Sequence, residues 1–520
     1  MTELQNNMIF SKNLKLKPNQ DQDPNFGILK IEAKSIDKPL IKHLKMYLNI
    51  DISGSMSEHC RDGKEKIHHI RTIIKNLLRE LYNFKEQKIA IIVNGFESTV
   101  HKIMDIDNLL EQSLLVNVLP KIEKLVPLNS TNIEKALKTA TKILDSNLKR
   151  ESDSNTELKE NKVVHIMLTD GNATEGITNP DILKTFMPSS CKNILLGIGN
   201  DYDAKALKTI SSSNPTATFK HINEAETAGL CVGEIIHSLL FEVVSDLKIT
   251  IQNGKIYDYI NGEWTQTIHV DSIASEQTKV YHIKRDTDAQ IQIVAHLEWT
   301  ANNTQHQCVI DTNTEDDLTQ YQFRQEVLEM LHNASLVTHN TTNETNVFFD
   351  EMFDHAQDSF VPYEEKHREY YQKKQKERDE RTQQIKDIKK QLKGLLIQIL
   401  KHMDDNNLQE DMFYITLCKD LKVSIDSIGS QNADLYISTR LTSQGSQETY
   451  SYNPDENEVE DEVANEEEDE VVDKVEEELI TSFNNKNNNR NMLKSPYTTP
   501  RQAKLMRDIS STHHTLSDSE

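Results

Sequence analysis

The stretch Lys45-Met46-Tyr47-Leu48-Asn49-Ile50-Asp51-Ile52-Ser53-Gly54-Ser55-Met56 decides how the chain is read. Met46, Tyr47, Leu48 and Ile50 form an apolar run of strand length, and Asp51-Ile-Ser-Gly-Ser55 ends it with turn-forming residues. Beyond the turn, Ile67, Ile70, Ile74, Leu77, Leu78 and Leu81 recur at three- and four-residue spacing, which predicts a helix with one buried stripe and a largely basic opposite face. A buried strand, a loop and an amphipathic helix in that order make the repeating unit of a parallel α/β sheet. Such a unit presents its loop at the carboxyl end of the strand.

The alternation continues along the chain. Residues 89–93 and 99–104 read as two strands joined through Asn94-Gly95, a hairpin signal that implies one antiparallel edge. Ile133, Ala136, Leu137, Ala140, Ile143 and Leu144 read as a second helix, with Ser130 or Thr131 as its N-cap. Residues 163–168, 193–198 and 217–222 read as further strands, 203–210 as a helix and 235–244 as a closing helix. The expected fold class over residues 45–244 is therefore α/β, with a doubly wound, mostly parallel sheet.

Outside that span the pattern changes. From 245 to 310 the period becomes two, as in Leu247, Ile249 and Ile251, with turn pairs Asn253-Gly254 and Asn261-Gly262, so a small β-sandwich-like domain is expected. Residues 25–44 carry the strand-like Leu29-Lys-Ile-Glu-Ala33, expected to pair with that domain, after a disordered N-terminus at 1–24. Residues 311–444 read as a helical region. Within it Ile385, Ile388, Leu392, Leu395 and Ile399 have heptad spacing, which leaves two readings open. One is a short coiled coil over 385–403 that joins two copies in a homo-oligomer. The other is a helix packed on its own chain against Phe413, Ile415 and Leu417. Residues 445–520, acidic at 455–478 and Asn-rich at 484–491, are expected to be a disordered tail.

Composition narrows the function. At 520 residues the chain exceeds what one core organises, and a hydrophobic fraction of 36% fits ordered domains diluted by polar tails. A net charge of -24 argues against nucleic acid and anionic membranes as partners, since both repel an acidic surface. No window approaches the ~20 apolar residues of a membrane span. Cys60, Cys191, Cys231, Cys308 and Cys418 are odd in number, scattered and free of CxxC spacing, so neither a disulfide framework nor a zinc site is expected. An intracellular, cytoplasmic protein is therefore expected.

Three loops bring chemistry to the sheet's carboxyl edge. Asp51, Ser53 and Ser55 follow the first strand, Thr131 lies on a second loop, and Asp170 in Leu168-Thr-Asp-Gly171 ends another strand. Two carboxylates and three hydroxyls are hard oxygen donors that suit Mg2+, or Mn2+ or Ca2+, with a coordination position left open. An Asp or Glu carboxylate from a protein partner is the natural occupant of that position. Singly, each residue reads as a turn former or helix cap. Together they leave two carboxylates at one edge without compensation unless a cation is bound.

Asp51-Ile-Ser-Gly-Ser-Met56, the Ser130-Thr131-Asn132 loop and Thr169-Asp170-Gly171, in this order, resemble the three metal-site motifs of von Willebrand factor A domains. The resemblance covers about 200 residues and includes Gly197-Ile-Gly199, Asp203 and Ala206-Leu207. It implies a metal-ion-dependent adhesion site in which Asp51, Ser53, Ser55, Thr131 and Asp170 bind the cation. Asn129-Ser130 stands where relatives often carry glycines, which stiffens the loop without touching the ligand oxygens. The upstream strand segment resembles that of intracellular relatives whose A domain interrupts a β domain. Ligase modules found in some of them are not expected, since the cysteines cannot build a RING. The expected function is cation-dependent protein binding or scaffolding, with a structural assembly role that needs no metal as the alternative. Catalysis is not expected, because the DxD pattern of aspartyl nucleophiles has Ser53 where a second Asp is needed. His68-His69 reads as a solvated helix face, and Gly197-Ile-Gly199, lacking a third glycine, as a turn.

Overall fold

Strands whose residues are apolar on both faces must be covered on both faces, and the first strand shows this directly. In the computed structural model, which describes residues 14–16, 25–60, 62–152, 161–199, 202, 204–212, 217–222, 225–286, 293–301, 304–310, 313–315, 317–339, 363–430, 432–448, 480, 483 and 495–511, Leu44, Met46, Tyr47, Leu48 and Ile50 are all buried. In chain order the strands are β1 (Leu14–Leu16), β2 (Phe26–Glu32), β3 (His43–Asp51), β4 (Lys88–Phe96), β5 (Val100–Ile106), β6 (Asn161–Thr169), β7 (Lys192–Ile198) and β8 (Thr218–Ile222). The helices of the same part are α1 (Lys66–Tyr82), α2 (Leu119–Ile122), α3 (Ile133–Ser152), α4 (Pro180–Leu183), α5 (Ala204–Ser211) and α6 (Ala228–Leu240). A central sheet has the order β5-β4-β3-β6-β7-β8, with β5 antiparallel to β4 and every other pairing parallel. The stripe expected on α1 is buried: Ile67, Ile70, Ile74, Leu77, Leu78 and Leu81 all face the core. Because β3 and β6 are central, their C-terminal ends, Asp51 and Thr169, lie side by side at one edge.

Three local expectations are corrected here. The antiparallel edge is present, but Asn94-Gly95 is not its turn: β4 runs on to Phe96, and Glu97 N donates to Thr99 O at the actual turn. Asn94 is buried with its amide on the Tyr47 hydroxyl, and a Cβ on Gly95 would lie 2.8 Å from Ile52 Cδ1, so this pair serves packing rather than reversal. The closing helix stops at Leu240, and Val243 and Val244 already belong to the next strand. His69 is not a solvated residue: it is buried, with Nε2 3.1 Å from Asp62 Oδ1, while His68 is exposed.

Two further sheets flank this layer. The strands that follow are β9 (Glu242–Gln252), β10 (Gly254–Asp258), β11 (Glu263–Thr265), β12 (Thr267–Ala274), β13 (Thr278–Arg285), β14 (Val294–Ala301), β15 (Thr304–Ile310) and β16 (Asn313–Glu315). One sheet has the order β12-β9-β14-β15 and the other β11-β10-β13-β2-β1-β16. The upstream strand β2 thus pairs antiparallel with β13, from Thr278 opposite Glu32 to Lys284 opposite Phe26. Residues 14–16, expected within a disordered N-terminus, form β1 and pair with β2 and β16. Ile249, Ile251, Ile256, Ile283 and Ile293 from these sheets share one apolar cluster with the central sheet and α1.

A second core is helical, built from α7 (Thr319–His339), α8 (Tyr363–Asp405), α9 (Met412–Ser427) and α10 (Ala433–Ser446). The heptad residues Ile388, Leu392, Leu395 and Ile399 are buried there against Ile415, Leu417, Leu421 and Val327 of the same chain. Of the two readings left open, packing on the chain itself is the one these contacts display. The last helix, α11 (Pro500–Ser510), corrects the expectation of a tail disordered throughout 445–520. Its Leu505, Met506 and Ile509 are buried against α6 and α1, and Thr499 closes a capping box with Gln502. The acidic stretch 455–478 and the Asn-rich stretch 484–491 lie outside the described residues.

Candidate metal centre

Asp51 is the last residue of β3 and is fully buried. Its Oδ1 accepts from Ser53 N at 2.8 Å, which folds the loop back on the strand end, and its Oδ2 accepts from the Thr169 hydroxyl at the end of β6. Ser53 Oγ lies 3.0 Å from Ser55 Oγ, and Ser55 Oγ donates to Asp170 Oδ1 at 2.8 Å. The first and third sequence motifs therefore meet in one continuous chain of oxygens. Ser53 and Asp170 are buried, and Ser55 is half-buried.

Thr131 reaches the same place from the second loop. Its backbone is clamped by Thr174 and Glu175, whose N–H groups donate to Thr131 O at 2.9 and 3.2 Å, and by Thr174 Oγ1, which accepts from Thr131 N at 2.9 Å. A Cβ on Gly171 would sit 3.3 Å from Thr131 Oγ1 and 3.6 Å from Ser55 Oγ, so the glycine after Asp170 is what lets the two hydroxyls approach. Thr131 is not the cap of α3. Asn132 takes that role, its Oδ1 accepting from Lys135 N at 2.9 Å, which leaves Thr131 Oγ1 for the site. The first two loops are tied together where Gly54 N donates to Asn129 O at 2.9 Å. Ser130 Oγ donates to Glu175 at 2.6 Å, so the two residues that replace glycines are both engaged in holding the loop.

The electrostatics are those of anionic oxygens under a shortage of positive charge. Burial pushes the Asp51 carboxyl up to about 7; Asp170 beside it pushes the same way, while hydrogen bonds from Thr169 and Ser53 oppose the rise. Among the described residues no group of three or more His, Cys, Asp and Glu side chains is placed to hold a metal, and the donors here are instead two carboxylates with serine and threonine hydroxyls. Such a donor set suits a hard, oxygen-seeking cation and no soft one.

Two residues at this edge carried no signal in the sequence. Lys66, the first residue of α1, places Nζ 3.0 Å from Asp170 Oδ2 and also on Glu58, and nothing in the sequence separates it from the other basic residues of that helix. Glu97, just past β4, is 3% exposed. Despite its burial, hydrogen bonds from Ser98, His101 and Thr99 hold its carboxyl well below the usual range. Its carbonyl accepts from Asn132 N at 3.0 Å, which fixes the start of α3 and so the height of Thr131.

The sequence model of the von Willebrand factor type A domain matches residues 46–230, which is the span that carries all three loops. Residues 46–230 are a von Willebrand factor type A domain. The chain is also similar to solved structures. One is a von Willebrand factor type A protein from Catenulispora acidiphila, 13% identical, covering 61% of this chain and 78% of its own with a TM-score of 0.40. Another is the ArnB paralog VWA2 from Sulfolobus acidocaldarius, 12% identical, covering 81% and 93% with a TM-score of 0.42. A third is proximal thread matrix protein 1 from the mussel byssus, solved with a zinc-occupied MIDAS motif, 16% identical, covering 41% and 47% with a TM-score of 0.28. No curated protein matches the sequence.

Proposed function

We propose that the chain is a divalent-cation-dependent protein-binding or scaffold protein. In this reading Asp51, Ser53, Ser55, Thr131 and Asp170 hold one Mg2+, with Mn2+ or Ca2+ as substitutes, and an Asp or Glu of a partner protein docks at the same edge. The observation that carries it is the buried, hydroxyl-lined pair Asp51 and Asp170: Lys66 meets Asp170 alone, and Asp51 is held by a backbone amide and a hydroxyl while burial and Asp170 both act against its charge. A bound cation would supply positive charge there and a Lewis-acidic position for the partner's carboxylate.

The chain's own residues do the rest. Ser53 N and the Thr169 hydroxyl orient the Asp51 carboxylate, Ser55 Oγ orients that of Asp170, and the Thr174 and Glu175 amides hold the Thr131 loop at the height of both. We read the protein as non-enzymatic, since recognition needs only this fixed set of oxygens. Its five free cysteines are consistent with an intracellular, reducing compartment. Among the described residues no helix is long and apolar enough to cross a membrane. A metal-free assembly role is the second reading, and Lys66 on Asp170 is the observation that favours it. Calorimetric titration of the full chain with Mg2+ distinguishes the two. Saturable binding that both Asp51→Ala and Asp170→Ala abolish supports the first reading, and equal Mg2+ affinity in all three proteins overturns it.

A further inference from the structure

The ammonium of Lys66 stands where a cation would be needed. Its Nζ is 3.0 Å from Asp170 Oδ2, on the side of the carboxylate opposite Ser55, and the Lys66 side chain is 12% exposed against 0% for Asp170. The backbone of Lys66 is pinned: Lys66 N donates to Glu58 O at 2.9 Å, Cys60 N donates to Lys64 O at 2.8 Å, and His59 bridges Glu65, so residues 58–60 are tied to residues 64–66. A Cβ on Gly199, at the end of β7, would lie 4.0 Å from Lys66 Nζ, which puts the ammonium at the carboxyl edge of the sheet rather than out along the helix. Glu58, 56% exposed, holds the same Nζ at 2.5 Å and keeps a partner for it if the contact with Asp170 is released.

We propose that Lys66 is a tethered counter-ion of this site, which rests on the cation-binding reading above. It neutralises Asp170 while no cation is bound, and when one binds it gives up Asp170 and keeps Glu58, which it already touches. The charge count gives the consequence. With Glu58, 56% exposed, screened by solvent, Asp51, Asp170 and Lys66 leave the edge one negative charge, so a divalent cation makes it positive and a partner carboxylate brings it to neutrality. Without Lys66 the same cation alone reaches neutrality. The lysine therefore weakens the site for the cation and strengthens the loaded site for an anionic partner. Nothing in an ordinary structural ion pair couples those two quantities.

The test uses the full chain as wild type, Lys66→Met, Asp51→Ala and the double variant, with Mg2+ alone as the titrant in calorimetry and a thermal melt in chelator. Lys66→Met is expected to bind Mg2+ roughly tenfold more tightly or better, and to melt earlier in chelator because Asp170 loses its partner. Binding that appears only in Lys66→Met and disappears in the double variant supports the proposal equally. Should Lys66→Met fail to fold, Lys66→Gln removes the charge and keeps a donor. Mg2+ affinity in Lys66→Met equal to or weaker than wild type overturns the counter-ion role while leaving the metal site standing. No Asp51-dependent Mg2+ binding in either background overturns both.

Discussion

Asp51 and Asp420 are both buried carboxylates, one at the carboxyl edge of the A domain and one inside the helical region, and they are stabilised in opposite ways. Asp420 on α9 meets Arg440 Nη1 at 3.4 Å and Gln444 Nε2 at 2.6 Å, both on α10. Its counter-charge belongs to the neighbouring helix and stays there. Asp51 meets a backbone amide and a hydroxyl, and the nearby ammonium of Lys66 sits on Asp170 and on a further carboxylate, Glu58. Burial raises the carboxyl pKa of both, but only at Asp420 does a guanidinium oppose the rise. A permanent cation marks a carboxylate that locks helices together. Hydroxyls and a movable lysine mark one that keeps a position for an exchangeable charge.

The sharpest break between the two is in stability. Asp420→Ala leaves Arg440 buried without its carboxylate and is expected to cost about 3–5 kcal/mol in denaturant unfolding. A loss below about 1 kcal/mol would mean that the pair is not held as ions and would remove the contrast.

The sheet also buries a titratable group whose side-chain partners are two neutral amides. His165 on β6 is fully buried, with Nδ1 3.0 Å from Asn193 Oδ1 and Nε2 3.3 Å from Asn49 Nδ2, which suits the neutral ring with its proton on Nδ1. Burial pushes its pKa down to about 4. The unfolded chain, near 6.5, then binds the proton more readily than the folded one. Stability from this group is complete above pH 6.5 and falls as pH drops toward 4, by up to about 3 kcal/mol. Urea midpoints measured from pH 7 to pH 5 should fall less in His165→Asn than in wild type, and equal slopes would contradict the neutral assignment.

Asp51→Ala inverts the Asp420 result. In chelator its loss of stability should stay below about 2 kcal/mol, because Ser53 N and the Thr169 hydroxyl lose an acceptor while the burial of a carboxylate beside Asp170 is relieved at the same time. At a Mg2+ concentration one hundred times the dissociation constant, wild type should gain about 2.7 kcal/mol and the variant nothing. A large loss in chelator would make Asp51 a structural residue like Asp420.

How much of this was legible in the sequence follows the same division. The strand before Asp51, the stripe on α1 and the order of the three loops could be read because local period and local turn chemistry agree with the tertiary fold. Asn94-Gly95 was misread since the same two residues that favour a turn also fit a crowded strand, where Ile52 leaves no room for a Cβ at Gly95. Heptad spacing on α8 could not say whose apolar surface it meets, because burial against α9 and against a second copy demand the same pattern. Lys66 was silent, since its meaning lies in a contact with Asp170 that spans 104 positions. The docking of α11 was silent too: the helix is short and polar, and the information that places it sits in two glycines on α6.

Those glycines give the smallest effect and a control from the other region. A Cβ on Gly233 would lie 2.5 Å from Met506 Cα and 2.8 Å from Met506 N, so the obstacle is backbone and α11 must back away as a unit. Against this, Gly→Ala inside a helix gains about 1 kcal/mol of helix propensity. Overpacking costs about 1–3 kcal/mol, so Gly233→Ala should lose about 1 kcal/mol net. The loss should be local: hydrogen exchange should speed up over residues 500–510, while the amides of β3 and β6 keep their protection. Gly394 on α8 is exposed and would place its Cβ in open space, so Gly394→Ala should keep the propensity gain and stabilise the chain by roughly 1 kcal/mol. Opposite signs for one substitution in two helices isolate the docked helix as the cause. Equal gains at both positions would show that α11 is not seated on Gly233.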